Sequence, residues 1–252
     1  MVSFLSKLAV IATVVTSSVS ALEIGEYSRP TGTEVSGVPG ASAPYLRSPC
    51  PALNALANHG YLPRDGKNID SAMLEKAIMD VYNIDWLVAK ALASQVKGSI
   101  TLAHLSTHNL VEHDVSLAHS DFSYGSDMAA LNVTMWEDLS GRAVDNTIGV
   151  SEVAAAREKR IDVCKSKAGG CDFGLKQRIL GALEAAVMLR GLGGKNKETI
   201  SLEYATSFFV DERIPDDYQK PSTAISLANL LSTATKIDLK VTWIDILEFL
   251  GM

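Results

Sequence analysis

The chain has 252 residues, 47% of them hydrophobic and 21% charged, which suffices for one substantial buried core and a single main domain. A formal net charge of −6 leaves no basic surplus for neutralising phosphates, so neither nucleic acid nor an anionic membrane surface is an expected partner.

The N-terminus reads MVSFLSKLAVIATVVTSSVSALEIG, in which Lys7 precedes an apolar run and Val19-Ser20-Ala21 suits signal-peptidase cleavage. That run is too short to span a bilayer, so residues 1–21 are predicted to be a signal peptide and the protein to be secreted and extracellular. Residues 22–44 are rich in Gly, Pro, Ser and Thr without a sustained apolar period, and are expected to form a flexible lead-in or a removable pro-segment. The packed domain is expected over 45–252.

From Tyr45 onward the apolar spacing is helical, over 51–58, 70–94, 98–111, 126–138, 148–160, 173–192, 198–209, 222–233 and 242–250, and no convincing run of alternating strands is present. The prediction is an all-α single domain of roughly eight helices. In an oxidising compartment Cys164 and Cys171, in CKSKAGGC, can close a small loop as a disulfide, which leaves Cys50 unpaired. Asn132-Val133-Thr134 is a glycosylation sequon consistent with secretion.

Cys50 stands in SPCPALNALANHGYLPR, and Pro51 at the first position of a helix makes it an N-cap. Its sulfur would face the unpaired N–H groups of Ala52, Leu53 and Asn54 and the positive end of the helix dipole, a setting that favours a thiolate. An inert buried thiol, a nucleophile, a zinc ligand and an axial ligand of haem iron all fit that local pattern, whereas a redox pair would need a CxxC that is absent.

A second cluster, Glu112-His113-Asp114-Val115-Ser116, offers oxygen ligands for a hard cation if Glu112 and Ser116 share a helix face or turn edge. His104 and His108 have the i, i+4 spacing of a zinc pair, but the glutamate of HExxH is missing; structural roles suit them and His119 better. Glu184 lies on a helical stripe with Leu180 and Val187, where an acid either faces solvent or is buried with a raised pKa suited to proton transfer.

Pro-Cys-Pro, then Glu-His-Asp-x-Ser, then a glutamate on a later helix, in that order, resembles the secreted haem-thiolate peroxidases, which include chloroperoxidase and the fungal unspecific peroxygenases. The resemblance runs from about Tyr45 through FFVDERIPDD, with Leu183 standing where many relatives have Gly. It implies haem b with Cys50 as proximal iron ligand, and Glu184 as the distal acid–base oriented by His113. It also implies a Mg2+ or Mn2+ ion beside a haem propionate, held by Glu112, Ser116 and the backbone carbonyl of His113. Leu180, Val187 and Val111 would line an apolar approach or pack in the core.

The implied activity is oxygen transfer from hydrogen peroxide to small apolar and aromatic substrates, with haloperoxidase or pathway-specific oxidase chemistry as the alternative on the same site. A secreted helical haem- or ligand-binding protein without turnover is the alternative of another class. The expected assembly is a monomer or homodimer.

Overall fold

The computed structural model describes residues 22–125, 127–167, 171–195 and 197–249; the expected signal peptide lies outside the described residues. Among these, eight α-helices carry the fold: α1 (Pro51–Asn58), α2 (Ser71–Tyr82), α3 (Trp86–Ala93), α4 (Val133–Ser140), α5 (Val150–Ser166), α6 (Leu175–Val187), α7 (Leu202–Phe209) and α8 (Leu227–Phe249). Four short strands form two small sheets. β1 (Val35–Ser36) pairs in parallel with β2 (Tyr45–Leu46), and β3 (Thr147–Gly149) pairs antiparallel with β4 (Thr199–Ser201).

The helix limits follow local chemistry. Asp70 caps α2 by accepting the Met73 N–H, and the helix stops at Asn83, whose left-handed backbone (φ 51°) ends it. Asp85 then caps α3 through the Leu87 N–H, so the expected helix over 70–94 is two helices meeting at a bend. The expected helix over 98–111 shrinks to a 3-10 turn, Leu102–Ser106, capped by Thr101. The segments expected separately at 222–233 and 242–250 fall, between Leu227 and Phe249, within one continuous helix, α8, since neither Gly nor Pro interrupts it.

The long helices α5, α6 and α8 pack together, burying Val153, Ala154, Ala185, Ala186 and Ile237. Arg190, at the π-helical turn Met188–Leu192 that ends α6, reaches Glu198 at 2.6 Å. Thr233 and Lys236 of α8 hydrogen-bond the same carboxylate.

Residues 22–44, expected as a flexible lead-in or a removable pro-segment, run along the domain. The N–H groups of Gly25 and Ser28 donate to the carbonyls of His59 and Asn58, and Arg29 Nη1 donates to the Val210 carbonyl at 2.6 Å. Gly37 donates to Asp127 Oδ2, and a Cβ at Gly37 would lie 2.2 Å from that of Ala129. Glycine there permits close backbone approach rather than mobility.

Candidate active site

Cys50 is the N-cap of α1, with extended backbone (φ −94°, ψ 107°) and Pro51 as the first helical residue. It is the free cysteine among the described residues, because Cys164 and Cys171 form the disulfide. Burial pushes the Cys50 thiol up to about 11, while the N–H groups of Leu53 and Ala52 pull the other way and the charge of Glu184 raises it further. The helix terminus alone therefore does not ionise this sulfur at neutral pH. A cation bound to it has to displace the proton.

Glu184 sits on α6 with its side chain about half exposed (54%), so it is not the buried acid among apolar neighbours that one reading of its stripe expected. Its Oε2 lies 3.1 Å from Nε2 of His113, which is itself buried. His113 Nδ1 lies 2.7 Å from the backbone oxygen of Asp114. A carbonyl can only accept, so Nδ1 carries a proton, and the Nε2–Oε2 contact needs one further proton held by either partner. Burial works against charge on His113, but the hydrogen bond and charge of Glu184 and the Asp114 carbonyl outweigh it and raise the imidazole pKa. Such a pair can hold one proton between its two members.

The Glu112–Ser116 segment is an irregular loop, not a helix, and Val115 takes a positive φ of 67°. Glu112 and Ser116 accordingly share no helix face. Both carboxylate oxygens of Asp114 are occupied: Oδ1 accepts the Phe122 N–H and Oδ2 the Asp172 N–H, each at 2.8 Å. The Val115 N–H donates to Asp121, which fastens the other end of the loop. Buried Glu112 has Oε2 2.8 Å from Nδ1 of His108, while its Oε1 is buried without a hydrogen-bond partner. Burial raises the Glu112 carboxyl pKa.

With this geometry in place, a family model described as "Peroxidase, family 2" matches residues 29–223, a span that contains Cys50, the whole Glu112–Ser116 loop and Glu184. The chain belongs to peroxidase family 2. It is 28% identical over 207 residues to an aromatic peroxygenase of Coprinellus radians, covering 69% of this chain and 78% of that protein. It is also 36% identical over 92 residues to a chloroperoxidase of Leptoxyphium fumago, covering 31% of this chain and 25% of the relative. A dothistromin biosynthesis peroxidase of Dothistroma septosporum is 28% identical over 134 residues, 43% of this chain and 32% of that protein. The family is one of peroxidase-type oxidoreductases, and haem is the group it implies.

In this family-2 peroxidase the expected site residues divide into three groups. Cys50 stands at the base of α1, the His113–Glu184 pair joins the loop to α6, and Ser116 is a half-buried residue of that loop. The His104–His108 zinc pair is not formed, because the 3-10 turn leaves His104 exposed and turns His108 toward Glu112. His119 is buried with Nδ1 donating to the Ala130 carbonyl, the structural role expected of it.

What the sequence reading missed is His108. It stacks on Phe122 with ring centroids 4.3 Å apart, and its ligand atom lies within 4.8 Å of those of Glu112 and Asp114. The i, i+4 spacing from His108 to Glu112 carried that signal. A cavity of about 330 Å3 lies against the base of α1, bounded by Pro51, Asn54, His119, Phe209 and Glu212; neither Cys50 nor Glu184 lines it.

Proposed function

We propose that this chain is a secreted peroxygenase that uses hydrogen peroxide to oxygenate small apolar and aromatic compounds, with one-electron peroxidase activity alongside. The observation that carries the reading is the unpaired Cys50 at a helix start, in a chain that also sets Glu184 Oε2 3.1 Å from Nε2 of His113. A free thiol at the N-cap of a helix fits an axial iron ligand, and the orphaned, buried Glu112 Oε1 fits a hard cation.

Cys50 would hold haem b. Glu112, Ser116 and the His113 carbonyl would hold a Mg2+ or Mn2+ ion, with His108 and Asp114 beside it. When bound, a thiolate-ligated haem supplies the oxidising chemistry, its sulfur ligand favouring O–O cleavage. Glu184 Oε2 would take up the proton that hydrogen peroxide gives up and give it back to the departing water. His113 keeps that carboxylate in place through Nε2, with its own orientation fixed by the Asp114 carbonyl. Half-buried Val187, on the helix that carries Glu184, and Val111, beside the loop, suit an apolar substrate approach.

The test has two parts. The ferrous carbon monoxide complex of the purified protein should show a red-shifted, thiolate-type Soret band that Cys50→Ala abolishes; a histidine-type band overturns the ligation. Glu184→Ala should keep the haem spectrum and lose about a hundredfold or more of peroxide-dependent turnover. The 36% match to a chloroperoxidase favours halide oxidation as a second reading, which product analysis with and without chloride separates from C–H oxygenation. Secretion is supported by the N-terminal pattern and by the Cys164–Cys171 bridge, and the Asn132 sequon stands at the N-cap of α4.

A further inference from the structure

We propose that Glu212, acting through Asn54, is a positioning residue that fixes the Cys50 sulfur against the first turn of α1; this rests on Cys50 being the haem ligand. Glu212 belongs to FFVDERIPDD, a stretch that neither the proton-transfer pair nor the cation loop uses.

The loop that presents Cys50 is closed by a ring of hydrogen bonds. Ser48 N–H donates to Asn54 Oδ1 and Asn54 Nδ2 donates to the Ser48 carbonyl, both at 2.8 Å, while the Cys50 N–H donates to Ser48 Oγ at 3.2 Å. Asn54 is almost fully buried (1% exposed), so its second Nδ2 proton needs a partner. That partner is Glu212 Oε1 at 2.6 Å, from a residue 158 positions further along the chain. The Glu212 backbone carbonyl also accepts from Asn58 Nδ2 at 3.0 Å, so one residue holds α1 at two points a helical turn apart.

Two further observations separate this arrangement from incidental packing. Glu212 has a positive φ of 48°, a backbone state that a non-glycine residue keeps when its surroundings over-determine it. Its other carboxylate oxygen meets Arg29 Nε at 3.2 Å, and Arg29 in turn donates to the Val210 carbonyl, so the segment over residues 22–44 braces the same carboxylate.

The consequence concerns the sulfur. Cys50 is tied to that ring through its own N–H, so the angle between the Cys50 peptide and the first turn of α1, which directs the sulfur, depends on where Ser48 is held. Asn54 sets that angle by holding Ser48, and a charge-assisted bond to Glu212 holds Asn54. Without the carboxylate, the amide is free to rotate toward other acceptors, and the Cys50 peptide loses its fixed angle to the first turn of α1.

The test compares haem-loaded Glu212→Ala and Glu212→Gln with the wild type by ferrous carbon monoxide spectra and by urea titration. Glu212→Ala should lose more than half of its thiolate-type band at unchanged haem content; a full band there overturns the proposal, whatever the variant's stability. Gln keeps an oxygen for Asn54 without the charge. In Glu212→Gln the band should be native in buffer but convert at a lower urea concentration than helix unfolding, whereas the two midpoints coincide in the wild type. Coincident midpoints in Glu212→Gln overturn the proposal should the alanine variant fail to fold. A wild type without a thiolate band refutes Cys50 ligation itself, a result distinguishable from both.

Discussion

Replacing Asp114 tests whether the Glu112–Ser116 loop is held by one side chain. Asp114 is buried, and its two carboxylate oxygens accept the N–H groups of Phe122 and Asp172 at 2.8 Å each. Hydrogen bonds to a charged acceptor contribute about 1.5–3 kcal/mol each. Both bonds are only part-buried, so water can reach the released N–H groups and the lower end of the range applies. Asp114→Ala should therefore cost about 3 kcal/mol of unfolding free energy, twice the lower per-bond value, and Asp114→Asn, which keeps one acceptor oxygen, about half of that. Denaturant unfolding followed by far-UV circular dichroism measures both values. Turnover at a denaturant-free temperature where all variants are folded should also fall, because the Asp114 carbonyl orients His113. An alanine variant within about 0.5 kcal/mol of wild type, the range of an ordinary surface substitution, would refute this account of the loop.

Three further expectations follow from other contacts. Lys236 beside Glu198, helped by Thr233 and Arg190 against partial burial, holds that carboxyl below its usual value of 4.5. Its stabilisation is therefore complete above that unfolded value and is lost as pH falls through the lower folded one, so Glu198→Gln should flatten the acid limb of a Tm-against-pH curve below about pH 4.5. An unchanged acid limb would count against the link from Arg190 to α8. Gly181→Ala would put a Cβ 2.2 Å from Nη1 of buried Arg157, and overpacking of that kind should lower stability by about 1–3 kcal/mol in thermal unfolding. A neutral effect would mean that Arg157 can swing aside. Opening the Cys164–Cys171 bridge by the paired serine substitutions removes a loop of sequence separation 7 and should cost about 2–3 kcal/mol. Hydrogen exchange should show faster exchange at Asp172, whose N–H bonds Asp114, and unaltered protection there would separate the bridge from the loop.

Helix α1 was legible to the residue, since Cys50, Pro51 and the apolar run behind them signal a capped start. The break at Asn83 was not, because the apolar period runs through it and the left-handed residue that stops α2 is an ordinary Asn in sequence. The same limit applies to the Glu112–Ser116 loop. Glu112, His113 and Ser116 announce ligand chemistry by type, yet the backbone joining them depends on Asp114 meeting N–H groups at Phe122 and Asp172, and Val115 sits where a β-branched residue rarely goes. Of the helix face or turn edge expected for Glu112 and Ser116 the helix face is therefore absent, and the structural role expected of His108 is a contact with Glu112 that the sequence did not single out.

Glu184 shows why the reactive groups and their registration are encoded differently. Judged by exposure it is a surface acid on an amphipathic helix, and nothing in the α6 period sets it apart from a solvated residue. Its hydrogen-bond partner is His113, 71 positions away, as that of Asn54 is Glu212, 158 positions away. Both contacts join the end or face of one helix to an irregular segment elsewhere in the chain. Local sequence supplies the sulfur, the imidazole and the carboxylate, but tertiary hydrogen bonds decide whether they act together. Substitutions at Asp114 and Glu212, neither of which bears a reacting atom, should on that ground disturb the site more than apolar changes of equal size on the exposed faces of α3 or α6.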